Sequence, residues 1–147
     1  MKLNDDQLAI ILQGTRDFAK DILEELGLFT PFGARGFPDG TLEFFASPPK
    51  QELTPIDQLY GEVRTALVES ARAGEILAGV VVANVVLPED IASPFRNAIG
   101  MQIEARGYSR YVYATYQLSP PKTESAQASV ELGKMFPMDV APEIFAQ

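Results

Sequence analysis

The chain of 147 residues contains no histidine, no cysteine and no tryptophan. Without histidine and cysteine it lacks the commonest general base, the thiol nucleophile and the usual ligands of structural zinc. A serine–histidine triad, a zinc finger, an iron–sulfur site and a thiol redox pair are therefore excluded. Carboxylates, lysines, arginines, tyrosines and hydroxyls remain, and they form no recognisable catalytic motif. We expect no catalytic residue, no metal site and no cofactor.

Positive charge is also scarce, because 12 basic residues stand against 20 acidic ones and leave a net charge of −8. A negative field repels phosphate groups, so we expect neither nucleic acid nor a membrane as a partner. The lack of cysteine fits a reducing compartment. The first residues, 1–6, carry acids where a signal peptide needs bases, and the apolar stretch at 76–87 is shorter than the roughly 20 residues of a membrane-spanning helix. These features predict a cytoplasmic protein.

Hydrophobic residues make up 46% of the chain, which is enough for a core, and the length is typical of one domain over 1–147. Residues 5–26 carry an apolar stripe at helical spacing that includes Phe18 and Leu26. Asn4 and Gln7 form a capping-box pattern before this stripe, and Gly27 follows it as a C-cap residue. The pattern predicts a first long helix.

A second helical stripe runs from Thr54, its predicted N-cap, to Gly74, with Pro55 as the first helical residue. Between the two helices, the turn sequence at 38–40 (Pro-Asp-Gly) predicts a hairpin that joins two short strands.

Residues 76–87 are apolar at both odd and even positions, which predicts an interior strand covered on both faces. Alternating patterns at 99–106 and 111–118 predict two further strands joined by a turn at Gly107. We expect residues 123–131 to form a mobile loop, because they are polar. The apolar end of the chain, 133–145, is expected to pack as a tail on the body.

The predicted order is α-β-β-α-β-β-β followed by the apolar C-terminal tail. This order predicts an α+β fold with two main helices and a mainly antiparallel, five-stranded sheet. It is similar to the order of elements in roadblock/longin-type adaptor folds and other profilin-like sheets. The resemblance concerns element order alone, since no sequence motif accompanies it.

The last predicted hairpin carries the candidate binding residues. Tyrosine and arginine are frequent anchors of protein interfaces, and a half-exposed aromatic surface could serve that purpose. A solvent-facing side of the sheet would explain the same residues. The candidate set consists of Tyr111, Tyr113, Arg106, Arg110 and Glu104.

Two groups of acids offer further alternatives. Acids on the outer face of the first helix form either a solvated surface or a site for a cation or basic partner, and those in its last turn oppose the helix dipole. They are Asp17, Asp21, Glu24 and Glu25. Glu89 and Asp90 follow the two-faced strand and could act in acid–base chemistry, although adjacent acids in a proline-containing loop are more often solvated.

Two functional hypotheses remain open. The first is a non-enzymatic interaction module, an adaptor or regulator that acts as a homodimer and binds a protein partner. The second is a small-ligand-binding or enzymatic domain that uses carboxylate, tyrosine or lysine groups. It would require Glu89, Asp90, Glu104 or Arg106 to converge in a pocket. We favour the first, because it needs nothing that the sequence lacks.

Overall fold

The computed structural model describes residues 4–46, 54–123 and 126–145. Within these ranges the chain forms two helices and six strands, and the strands make one antiparallel sheet in the order β2-β1-β3-β4-β5-β6. The predicted α+β class and antiparallel sheet are confirmed, whereas the predicted strand count of five was wrong. The elements are α1 (Asp5–Leu26), β1 (Phe32–Gly36), β2 (Leu42–Phe45), α2 (Ile56–Arg72), β3 (Ala78–Val86), β4 (Asn97–Ala105), β5 (Tyr108–Ser119) and β6 (Ser129–Asp139).

Local signals set the ends of α1 as predicted. The Asn4 side chain accepts a hydrogen bond from the Gln7 N–H at 2.8 Å, and the Gln7 side chain accepts one from the Asn4 N–H at 2.9 Å. Gly27 takes a left-handed conformation with φ of 79° and closes the helix. The start of α2 differs from the prediction: Pro55 has an extended ψ of 142° and is the N-cap, so the helix begins at Ile56.

The two helices lie on opposite faces of the sheet. Leu8, Ala19 and Leu23 of α1 pack against one face. On the other face, Val63 and Leu67 of α2 pack against β1 and β3. Alternate residues of β3 therefore enter two different apolar layers.

The β3 strand is an interior strand between β1 and β4, as its sequence predicts. Val80, Val81 and Val82 are at most 1% exposed. The strand is shorter than the predicted range 76–87. Near its last residues β3 is no longer covered, and Val86 is 71% exposed.

The final strand, β6, corrects two predictions. Residues 129–131 belong to this strand rather than to the expected loop at 123–131, and residues 133–139 belong to it rather than to a tail. Residues 124–125 of that predicted loop lie outside the described residues. Pro137 argues against a strand in sequence, but an edge strand tolerates proline because one side of its backbone has no neighbour.

The hairpin between β1 and β2 confirms the predicted turn. Gly40 has φ of 89°, and the Asp39 carboxylate accepts hydrogen bonds from the Thr41 N–H at 3.0 Å and from its hydroxyl at 2.7 Å.

Neither of the two helices in the described ranges combines the length and apolar character that crossing a bilayer requires.

Candidate functional site

The two predicted tyrosines are neighbours on the sheet face that carries α2, beyond the helix itself. The ring centroids of Tyr111 and Tyr113 lie 4.8 Å apart. In the β5–β6 register, Met138 pairs with Tyr111 and Phe136 pairs with Tyr113. These four residues form a partly exposed surface, here called the tyrosine face. Phe136 and Met138 were not among the predicted candidate residues, because no strand was predicted in that part of the chain.

Tyr111 is partly buried. Its ring lies over β4 at Gly100, where a Cβ atom would collide with the phenol oxygen. Burial raises the pKa of Tyr111 above its ordinary value, and the neighbouring Tyr60 raises it further. Tyr111 therefore stays neutral at physiological pH, and its ring is available as an uncharged contact surface.

The predicted arginines do not join the tyrosine face. Arg110 belongs to the opposite face, where its guanidinium lies 5.4 Å from the centre of the Tyr108 ring and 3.1 Å from the Asp139 carboxylate. Arg110 and Tyr111 are consecutive residues of β5, so their side chains point to opposite faces of the sheet. Arg106 lies exposed in the turn between β4 and β5.

Glu104 shares the face of the tyrosines but is fully buried, with 0% exposure. Its Oε1 accepts hydrogen bonds from the backbone N–H groups of Glu143 at 3.0 Å, Ile144 at 2.8 Å and Phe145 at 3.2 Å. Its Oε2 accepts one from the Gln102 side-chain amide. Consecutive N–H groups that converge on one anion form a nest, and here the anion is a side chain of the same protein.

The bonds to Glu104 hold the C-terminal segment, residues 140–145, against the sheet. Ile144 is 2% exposed and lies in a pocket beside Leu67 and Gly79. A Cβ on Gly79 would stand 3.2 Å from Leu67 Cδ2 and 3.4 Å from Ile144 Cδ1, so both side chains pack over this glycine. Arg64 adds an ion pair with Glu143 at 3.2 Å.

Two polar groups complete the surroundings of this pocket. Burial raises the pKa of Tyr60, and the negative charge of Glu143 raises it further. Ser109 is the register partner of Glu104 on β5. Its buried hydroxyl oxygen has no hydrogen-bond partner within the described ranges.

A groove runs along the opposite face, between α1 and the hairpin of β1 and β2. Its helical wall consists of residues spaced four apart, which form a continuous ridge on a helix. They are Ile10, Gly14, Phe18, Ile22 and Leu26. Phe18 and Leu26 belong to the apolar stripe predicted for this helix, and they are 37% and 67% exposed.

The groove contains two cavities. One has a volume of about 440 Å³ and is lined almost wholly by apolar side chains, among them Ile22, Phe29 and Phe44. Phe18 stacks on Phe44 at 4.1 Å between ring centroids and forms part of its wall. The second cavity, of about 270 Å³, lies towards the start of α1 beside Ile10.

The acids of α1 have separate environments. Glu24 forms an ion pair with Lys20 at 3.2 Å, and its Oε2 accepts a hydrogen bond from the Val130 N–H at 3.1 Å. These contacts, led by the bond from Val130, lower the pKa of Glu24. Asp21 and Glu25 are exposed. Within the described ranges, no group of three or more acids is arranged to hold a metal ion.

The carboxylates considered for catalysis lie apart. Glu104 is opposite Gly79 near the start of β3, whereas Glu89 and Asp90 follow the far end of that strand. The intervening seven residues of strand span about 20 Å at roughly 3.3 Å per residue. These groups therefore do not converge in one pocket.

Comparisons with protein-family models, with curated proteins and with solved structures give no match to this chain. No solved structure therefore supports the similarity of element order to roadblock/longin-type folds. The functional argument depends on the geometry of the chain itself.

Proposed function

We propose that the protein is a non-enzymatic interaction module that binds a partner protein in the groove between α1 and β2, and that it self-associates. The observation that carries the proposal is the groove's 440 Å³ apolar cavity with exposed apolar residues at its rim. Leu26 and Leu28 at that rim are 67% and 60% exposed. Contiguous exposed apolar surface is typical of interaction sites.

The edge strand beside the groove supports the same proposal. Among the described strands β2 is the outermost on its side, and it pairs only with β1. An extended partner segment can add to such an edge through backbone hydrogen bonds and place alternate side chains in the adjoining pockets. The side chains of Leu42 and Phe44 point to the α1 side, where those pockets lie.

The charge beside the groove favours a basic partner over a second copy of this chain. Asp17, Asp21 and Glu25 lie one position before the ridge residues Phe18, Ile22 and Leu26, so they form the neighbouring solvent-facing row of α1. Arg16 pairs with Asp17 at 3.1 Å, so Asp21 and Glu25 carry most of the negative charge of this row. Two copies that met here would bring these acidic rows together. A partner with basic residues next to its apolar ones would instead be attracted.

Self-association is proposed at the other end of the sheet. With one helix on each face, an unpaired edge is the surface left for pairing, and β6 is the edge next to the tyrosine face. Met138 there is 47% exposed. Aromatic residues and methionine are enriched in the centres of protein interfaces.

A small apolar ligand is the second candidate occupant of the groove. The cavity of about 440 Å³ falls within the usual range for ligand pockets. Its lining carries few polar groups, which favours binding without chemical transformation. Native mass spectrometry of the purified protein would reveal such a ligand as a constant added mass.

Site-specific photo-crosslinking tests the groove. A photoreactive amino acid at Leu28 should give a discrete protein adduct in the cells that make this protein, and Leu26→Asp should abolish it. The matched control places the same probe at Ile56, an exposed apolar residue of α2 on the opposite face of the sheet. Equal adducts from both positions, or none from Leu28, would contradict the proposal.

A further inference from the structure

We propose that the pocket at Glu104 is a binding site for a short peptide turn, and that the chain's own C-terminal segment is its resident ligand. A matching segment supplied by another molecule would bind by displacing it. The ligand class is a peptide with three consecutive free backbone N–H groups, an aliphatic side chain in the place of Ile144 and an acidic residue before it. This site lies on the opposite face from the groove and does not depend on the function proposed for it.

The first argument is that Glu104, a carboxylate, occupies a fully buried position. Removing a charge from water is costly unless hydrogen bonds replace the lost hydration. Within the described ranges, the bonds that Glu104 receives come from the C-terminal segment and from Gln102 alone. Glu104 thus recognises backbone groups, as a dedicated receptor for a peptide turn would.

The second argument is the sparse attachment of the segment outside this pocket. Val140, Ala141 and Pro142 are exposed, and they connect β6 to the buried Ile144. The Val140 N–H donates a long hydrogen bond, 3.5 Å, to the Ser109 carbonyl. The Arg64–Glu143 ion pair is also near the surface, with side chains 41% and 47% exposed. Exposed pairs of this kind contribute little to stability. The segment is therefore held chiefly by the bonds to Glu104 and by the apolar contacts of Ile144 and Phe145. Its release would leave α2 attached to the sheet through its contacts with β1 and β3.

The third argument is that the pocket has features a ligand would use. The aliphatic side chain at the position of Ile144 packs over Gly79, and Leu67 and Val81 form apolar walls around it. The buried hydroxyl of Ser109, which has no partner among the residues that the structure describes, is opposite Glu104 in the register and offers an additional hydrogen-bonding group. The neighbouring Arg64 selects an acidic residue in the ligand, as it now pairs with Glu143.

The test removes the C-terminal segment from the pocket of the full-length chain and then adds the same segment as a separate peptide. Ile144→Asp should expel the resident segment, because it would bury a second carboxylate beside Glu104. A fluorescent peptide of residues 139–147 is then titrated and its anisotropy measured. We expect at least about tenfold tighter binding to Ile144→Asp than to the wild type, whose tethered segment competes at a millimolar effective concentration.

Matched variants assign that binding to Glu104. Adding Glu104→Ala to Ile144→Asp should weaken peptide binding at least about tenfold, since charged hydrogen bonds are lost. Adding Glu131→Ala, which removes an exposed acid on β6, should leave it unchanged. A folded Ile144→Asp protein that binds no tighter than the wild type would overturn the proposal, as would binding that is insensitive to Glu104→Ala.

Circular dichroism establishes that each variant is folded, and Ile144→Ala replaces Ile144→Asp if the latter is not.

Hydrogen exchange in the chain that carries Glu104→Ala alone gives an independent readout. The amides of Glu143, Ile144 and Phe145 should exchange at least about tenfold faster in Glu104→Ala, because their acceptor is gone. Equal exchange rates in the two proteins would show that Glu104 does not hold the segment.

Discussion

Val82 and Val86 lie on one strand and one side of the sheet, but their surroundings differ. Val82 is 0% exposed, whereas Val86 is 71% exposed. Val82→Asp would place a carboxylate without a cation in an apolar layer, so we expect a loss of about 3–5 kcal/mol in the free energy of unfolding. Val86→Asp is the matched control and should change it by at most about 0.5 kcal/mol. Urea denaturation measures both, and similar losses would refute the burial of Val82 in the apolar layer on the α1 side.

Gly33 illustrates how one residue allows α2 to approach the sheet. A Cβ atom there would lie 2.6 Å from the Phe45 ring and 2.7 Å from Val63 Cγ1. We expect Gly33→Ala to lower the free energy of unfolding by about 1–3 kcal/mol through overpacking.

Gly61 is the matched glycine control for this substitution. It lies within α2, and the nearest atom to an added Cβ is 4.0 Å away. Gly61→Ala should therefore stabilise the protein by roughly 0.5–1 kcal/mol, because alanine is the better helix former. Thermal melts of the two variants should shift in opposite directions; a stable Gly33→Ala would show that α2 does not approach β1 this closely.

At the scale of elements, Glu24 connects α1 to the start of β6. The bond from the Val130 N–H and the ion pair with Lys20 lower its pKa from the ordinary value of 4.5. A lowered pKa in the folded state means that the contact stabilises the fold above the unfolded pKa and is lost as pH falls through the folded one. We expect the stability advantage of the wild type over Glu24→Gln to be present at pH 7 and to vanish on acidification.

Chemical denaturation from neutral to acidic pH measures this advantage. Glu25→Gln is the control, because it changes the overall charge equally and leaves the contact with Val130 intact. An advantage over Glu24→Gln that persists at acidic pH would rule out this role of the ionised carboxylate.

At the scale of the whole molecule, helices on both faces leave the sheet edges as the surfaces for assembly. We expect sedimentation velocity to detect a homodimer at tens of micromolar, and a stable obligate interface would bury more than about 2,000 Å². Replacing Tyr111 and Tyr113 together by alanine should shift the equilibrium to monomer. A clean monomer of the wild type would refute self-association.

The control for this assembly is Ile56→Ala, which removes an exposed apolar side chain from α2, away from β6. It should leave the dimer intact. A dimer that persists in the Tyr111→Ala, Tyr113→Ala variant would refute only the choice of these two anchors.

Short-range features of the sequence determined α1 and β3. The capping box at Asn4 and the left-handed Gly27 satisfy backbone groups within a few residues, so they are readable without the fold. Apolar residues at both parities of β3 require cover on both faces in any arrangement. The tyrosine pair is similarly local, because alternation along β5 puts Tyr111 and Tyr113 on one side.

Tertiary structure alone decided the rest. Pro137 is compatible with β6 because that strand lies at an edge. Leu26 remains exposed because it is the last residue of α1 and lies at the open rim of the groove. Glu104 alternates with core residues like an ordinary surface acid. Its burial arises from N–H groups about 40 residues later in the chain, at 143–145, that fold back onto it. Such long-range partners leave no trace in local periodicity, because periodicity reports only which side of an element a residue occupies.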